Sequence, residues 1–189
     1  MKSTAELMNN ANKAGLVIPA FNVPYLPMIE PVIRAVVDQD CFALVESARL
    51  EWFKFGAISP AAVMDEYQKW AKPDYVRIHL DHVPVIDEDN VQVDYLSTIR
   101  EAIQLGYQSV MVDGSRLDLE GNIEATRQVA EMAHQAGVPC EAELGAVLGH
   151  EVGPLPPYSV STSAPRGARP SCSPLRGRSS RPRMKSMTV

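Results

Sequence analysis

Histidine is scarce in this chain, with four in 189 residues. Cysteine is scarcer still. Cys41, Cys140 and Cys172 are widely spaced and odd in number, which argues against a disulfide framework or a thiolate zinc site. A reducing, cytoplasmic setting is expected. No apolar run approaches the roughly 18 residues of a membrane-spanning helix, and the opening "MKSTAELMNN" has no apolar core of the secretory-signal kind. No membrane partner is therefore expected. No G-x-G-x-x-G follows the first apolar segment, so a dinucleotide site of the open-sheet kind loses support. Acidic residues are missing from residues 154–189, which hold seven Lys and Arg. All 23 Asp and Glu lie in residues 1–153, against 11 Lys and Arg, so a body of charge −12 carries a tail of +7.

The body is a repeated pattern of short apolar segments and amphipathic ones. "STAELMNNANKAG" opens on Ser3 with Glu6 three residues on, a capping box, and Gly15 closes it. "LVIPAFNV" reads as a strand. "PMIEPVIRAVVDQD" reads as a helix, with Pro31 tolerable near its first turn. "FALVES" is the second strand, and Ser59-Pro60 begins a helix over 60–71. "VRIHLD" is the third strand, and residues 91–105 form the next helix. "SVMVDGS" is the fourth strand, followed by a helix near 118–136. "VPCEAELG" is the fifth strand.

Strands that look apolar on both faces, alternating with helices, imply parallel βα units. One polar residue ends each strand: Asn22, Ser47, Asp81, Asp113 and Glu143, spaced 25, 34, 32 and 30 residues apart. That spacing is one strand plus one crossover helix. A doubly wound sheet and a (β/α)8 barrel both fit. The polar strand ends favour the barrel, where functional residues sit on the C-terminal strand ends. A full barrel takes about 250 residues, so an incomplete barrel of about five units over residues 1–153 is expected. Residues 154–189 hold seven of the 15 prolines and eight serines, with no helical or strand period. They read as a disordered basic tail, with the look of translation in a wrong frame.

The chemistry centres on "VRIHLDHVPV", residues 76–85. In a strand, His79 and Asp81 share one face, and Leu80 and His82 the other. Pro84 predicts that the strand ends here, letting His82 swing beside Asp81. A neutral imidazole is a good zinc ligand, and a carboxylate beside a dication can move protons. Histidines that merely satisfy hydrogen bonds at a strand end fit the same residues. Asp113 ends the next strand, where a turn residue before Gly114 is the plainer alternative. Glu141 and Glu143 share a face of the fifth, and gathered carboxylates repel unless a cation sits among them.

Taken together, "IPAFNV", "HLDH", "SVMVDGS" and "EAELG" resemble the class II, zinc-dependent ketose-bisphosphate aldolases, over about residues 4–153. The resemblance implies a (β/α)8 barrel, dimeric or tetrameric, that reversibly cleaves a ketose 1,6-bisphosphate. The products are dihydroxyacetone phosphate and an aldehyde, glyceraldehyde 3-phosphate in fructose-bisphosphate enzymes. Zn2+ polarises the ketone. By the same resemblance, Asp81 is the acid/base group at the C4 hydroxyl and His82 a zinc ligand. Asp113 and Glu143 are acids near the metal. Glu151 is a mobile-loop acid/base group, Asn22 and Ser47 position substrate, and His79 lines the site. The family's other two zinc histidines lie in His-Gly segments further along. No histidine follows Gly153 here, so the chain is expected to be truncated and inactive. A non-catalytic half-barrel with a cationic arm is the alternative. Tyr158 is the single aromatic of the tail, which does not favour a nucleic-acid partner. A phosphosugar isomerase or epimerase using Asp81 and Glu143 without this metal is the third.

Overall fold

The structure is a computed structural model that describes residues 2–145. All of them belong to the unit Met1–Gly153. The second unit, Pro154–Val189, lies outside the described residues, and so does Glu151.

Five strands alternate with helices. They are β1 (Ala20–Asn22), β2 (Ala43–Ala48), β3 (Val76–Pro84), β4 (Ser109–Asp113) and β5 (Cys140–Ala142). The helices are α1 (Thr4–Lys13), α2 (Ile29–Asp38), α3 (Arg49–Lys54), α4 (Pro60–Trp70), α5 (Tyr95–Leu105) and α6 (Leu119–Gln135). Every strand pairs in parallel with the next one in the chain, in the order β1-β2-β3-β4-β5. A doubly wound sheet reverses its order at a switch point. This sheet never does, so it runs as a barrel wall runs. Among the described residues, no helix is long and apolar enough to cross a membrane.

The helix starts come from local chemistry. Ser3 accepts from the Glu6 N–H at 3.2 Å, and Glu6 accepts from the Ser3 N–H at 2.7 Å. Ser59 accepts from the Ala62 N–H ahead of Pro60, and Asp118 caps α6 by accepting from the Gly121 N–H. These bonds fill donors that a helix start leaves open. Helix α3 was not expected. It is too short to show a period, and two local bonds to the end of β2 hold it. Trp52 donates its indole N–H to Ser47 Oγ at 2.7 Å, and the Ala48 N–H donates to Glu51 at 2.9 Å.

The two faces of the sheet differ, contrary to the both-faces-apolar expectation. Val45, Val76, Ile78, Leu80, Val83, Val110 and Val112 are fully buried in one core. Helix residues Ile29, Ile33, Val63, Ile99 and Val129 complete it. At about 25 cal/mol per Å² of apolar area removed from water, such burial is the main favourable term. The other face carries polar rows. Asn22 pairs in register with Glu46, Glu46 with His79, and His79 with Ser109. In-register neighbours point to the same side of a sheet, so the polar residues of four strands meet there.

The first strand is shorter than "LVIPAFNV" predicts. Leu16 and Val17 are 66% and 92% exposed, and β1 is the edge strand of the described sheet.

Candidate metal centre

Strand β3 brings the central pair together by an irregularity rather than by ending. It runs through Pro84, so the expectation that the strand ends there and so frees His82 to swing beside Asp81 is corrected. Its register with β4 shifts between Leu80 and Val83, and His82 has φ of 35°. This is a β-bulge: two residues occupy the length of one. Asp81 keeps the inward direction set by alternation. The inserted His82 points inward too, and Val83 returns to the core opposite Val112. A left-handed φ on a histidine costs on the order of 1–3 kcal/mol and persists only where the surroundings enforce it. Consecutive residues thus face one cleft of about 480 Å³, lined also by Asn22, Glu46, Glu51 and Asp113.

Each imidazole meets one acid of the β5 end. His82 Nδ1 lies 3.2 Å from Asp113 Oδ2 and 3.5 Å from Glu143 Oε2. His79 Nε2 lies 3.6 Å from Glu141 Oε2, and its Nδ1 lies 2.8 Å from Ser109 Oγ. Donor atoms of His82, Asp113 and Glu143 all fall within 4.8 Å of one another, and so do those of Glu46, His79 and Asp81. Asp113 is also the turn residue foreseen as the plainer alternative. Its Oδ1 accepts from the Ser115 N–H at 2.9 Å while Oδ2 faces His82. Gly114 belongs to this arrangement. A Cβ there would lie 2.6 Å from Asn122 Oδ1, and Asn122 donates to the Glu143 carbonyl at 2.8 Å.

The electrostatics separate the two histidines. The hydrogen bond to Asp113 raises His82 to about 9 against the opposing effect of burial, with the charges of Asp81, Asp113 and Glu143 adding to the rise. Burial holds His79 down at about 4, so it stays neutral. Burial pushes Asp113 upward, but the bonds from His82 and Ser115 outweigh it and keep the carboxyl below its ordinary value. Glu46 is raised to about 7 by burial first, then by the charges of Asp81, Glu141 and Glu51.

The residues present suit a small dication. Zinc–ligand bonds of about 2.1 Å in tetrahedral geometry put ligand atoms about 3.4 Å apart. The His82–Asp113 and His82–Glu143 separations, 3.2 and 3.5 Å, bracket that value. In their present arrangement a proton on His82 supplies the positive charge between the carboxylates.

Comparison with known proteins gives the family. The sequence profile of "Fructose-bisphosphate aldolase class-II" matches residues 2–168. The chain belongs to the class II fructose-bisphosphate aldolase family. A Bacillus subtilis (strain 168) protein described as "Probable fructose-bisphosphate aldolase" is 31% identical over 154 residues, which cover 79% of this chain and 50% of that protein. The crystal structure of the YdjI aldolase from Escherichia coli K12 superposes with a TM-score of 0.60 at 25% identity, over 76% of this chain and 52% of that one. Fructose-bisphosphate aldolase from Campylobacter jejuni superposes with a TM-score of 0.57 at 20% identity, over 75% of this chain and 45% of that one, and bears on the fold alone. The aldolase-family chain spans about half the length of these relatives.

Of the residues singled out in the sequence, the structure brings Asn22, Asp81, His82 and Asp113 to the cleft lining, with Glu143 beside His82. It does not bring Ser47, which is fully buried on the opposite face of β2 and accepts from Trp52. The polar residue that β2 gives the aldolase-family cleft is Glu46, beside Ala48. Alternation within "ALVESA" held the signal: Leu44, Glu46 and Ala48 share a face, and Ser47 belongs to the other.

Proposed function

We propose that the chain carries part of a zinc-dependent aldolase site for reversible cleavage of a ketose 1,6-bisphosphate to dihydroxyacetone phosphate and glyceraldehyde 3-phosphate. The observation that supports it best is the triad of His82, Asp113 and Glu143, whose donor atoms lie within 4.8 Å of one another, next to Asp81 on the same concave face. These three would hold the Zn2+. When bound, the metal supplies Lewis-acid polarisation of the substrate ketone.

Everything else falls to the chain's own residues. Asp81 accepts the proton of the C4 hydroxyl as the C3–C4 bond breaks, and the electron pair stays on C3. In the reverse direction it returns that proton. Asn22 orients the substrate beside it. Glu151, outside the described residues, is assigned the proton exchanged at C3 of the three-carbon fragment. His79 is buried and neutral, and shapes the floor of the cleft. Ser47 loses its substrate role and becomes the anchor of α3.

Since the chain spans about half of its relatives' length, the full reaction is proposed for a barrel completed by further βα units, in a homodimer or homotetramer. The chain alone is expected to bind zinc without turning over. Zinc titration against a competing chelator tests this. Wild type should bind one equivalent. His82→Ala should weaken binding by about 100-fold, the order expected on losing the only imidazole of the set. Asp81→Asn should leave affinity within about threefold. Equal zinc affinity in wild type and His82→Ala would remove the support for this site.

A further inference from the structure

Five carboxylates line the described cleft, against one side chain that is a permanent cation, Arg116. A ketose bisphosphate brings two phosphates, and a phosphate set beside a carboxylate is repelled. The five acids are not alike. Asp113 Oδ2 lies 3.2 Å from His82 Nδ1, and Glu88 Oε1 lies 2.7 Å from Lys54 Nζ. Glu46, Glu51 and Asp81 come from β2, α3 and β3, and make that side of the cleft acidic. Arg116 belongs to the other side. It follows Asp113, the last residue of β4, by three positions, and β3 separates β4 from β2 in the sheet. Its Nη1 donates to Asn90 Oδ1 at 3.2 Å. Asn90 sits in the turn after β3 with φ of 62°, a left-handed value that asparagine takes more readily than most residues. Asp87 locks that turn. Its Oδ1 accepts from the N–H groups of Asp89 at 3.1 Å and Val91 at 2.9 Å, and its Oδ2 lies 3.4 Å from Arg49 Nη1.

We propose that Arg116 receives a phosphate of the substrate in the described cleft, with Asn90 as its positioning residue. The inference rests on the ketose-bisphosphate reading and adds a direction to it. The phosphate points from Asp81 toward the loop after β4, away from Glu46 and Glu51. A guanidinium carries five N–H donors in a planar fork, and here one goes to Asn90. The fork matches the oxygens of a phosphate in a way that a lysine ammonium does not. The bond to Asn90 limits how the fork can turn, and a group oriented before its ligand arrives loses less freedom on binding. The pairing of Glu88 with Lys54 lowers the repulsion that an incoming anion meets at the same rim. The two phosphates of the ketose share this chemistry, and the experiment separates them.

The test titrates the full chain, without metal, with inorganic phosphate at constant ionic strength. The backbone amides of Ser115 and Arg116 are followed by 15N–1H NMR. In wild type both should shift and saturate together. Arg116→Gln keeps a donor but no charge, and should weaken this binding about tenfold, the worth of one charge-assisted hydrogen bond. Arg116→Lys keeps the charge without the fork and should lose about threefold. Asn90→Ala should also lose about threefold, by freeing the fork. Shifts that never saturate, or that saturate equally in Arg116→Gln, overturn the proposal. If Arg116→Gln does not fold, Arg116→Lys decides, and a lysine variant as tight as wild type overturns it. The zinc-loaded chain is then given dihydroxyacetone phosphate and glyceraldehyde 3-phosphate separately. The fragment that moves the two amides in wild type and not in the variant is the one whose phosphate lies at Arg116. Movement with neither overturns the assignment to substrate. The zinc titration is separate. Zinc held at His82 with no phosphate at Arg116 leaves the metal assignment standing and removes this one, and phosphate at Arg116 without zinc at His82 does the reverse.

Discussion

Zinc entering the triad must displace a proton, and the number released can be worked out from His82. The imidazole is raised to about 9 by its bond to Asp113. At pH 8 it is then about 90% protonated, and at pH 9 about half. A metal ligand must be deprotonated, so zinc binding should release about 0.9 proton per ion at pH 8 and about 0.5 at pH 9 from this group. An imidazole at the ordinary value of 6.5 would release about 0.03 at pH 8. Isothermal titration in two buffers of different ionisation enthalpy gives the count directly. Apparent affinity should climb about tenfold per pH unit below pH 9 and level off above it. His82→Gln should abolish most of the release at pH 8. A count near zero at pH 8 would refute the proton-for-metal exchange, as would a count that persists in His82→Gln. The same shift sets the sign for stability without metal. A raised histidine stabilises fully below about pH 6.5, and that contribution is lost as pH rises through about 9.

Two further outcomes test the scaffold. Gly114→Ala places a Cβ 2.6 Å from Asn122 Oδ1 and 3.2 Å from its Cα. It should destabilise by about 1–3 kcal/mol and, by shifting Asn122 off the Glu143 carbonyl, weaken zinc binding by about tenfold. Unchanged zinc affinity in a folded variant would show that Asn122 does not place Glu143. Ile78→Ala empties a fully buried position in the middle of β3. It should lower unfolding free energy in urea by about 2–5 kcal/mol, and a loss below 1 kcal/mol would contradict the packing described.

What could be seen in the sequence follows from the range of the forces involved. The capping box of Ser3 and Glu6, the Ser59-Pro60 start and the alternation of apolar strands with helices are local, and all are present in the structure. The residues Asn22, Asp81, His82 and Asp113 were visible because each stands out in an apolar strand. The bulge was not visible. "HLDH" has no glycine to announce a positive φ at His82, and the conformation is enforced by pairing with β4. Helix α3 was hidden for a different reason: its six residues are too few to show a period, and its bonds to Ser47 and Ala48 are local. Glu46 was missed, and strand parity is the reason it and not Ser47 faces the cleft. Both are polar, and only the register of Glu46 with Asn22 and His79 shows which one faces the cleft.

The unbroken strand order has a consequence for how the chain acquires its shape. Among the described residues, each strand bonds only to its neighbours in chain order. Each of these strand pairings therefore spans one βα unit, so loop closure between paired strands stays short. A chain leaving the ribosome can add one strand and its covering helix at a time onto a wall already standing. The growing rim is then always the newest strand.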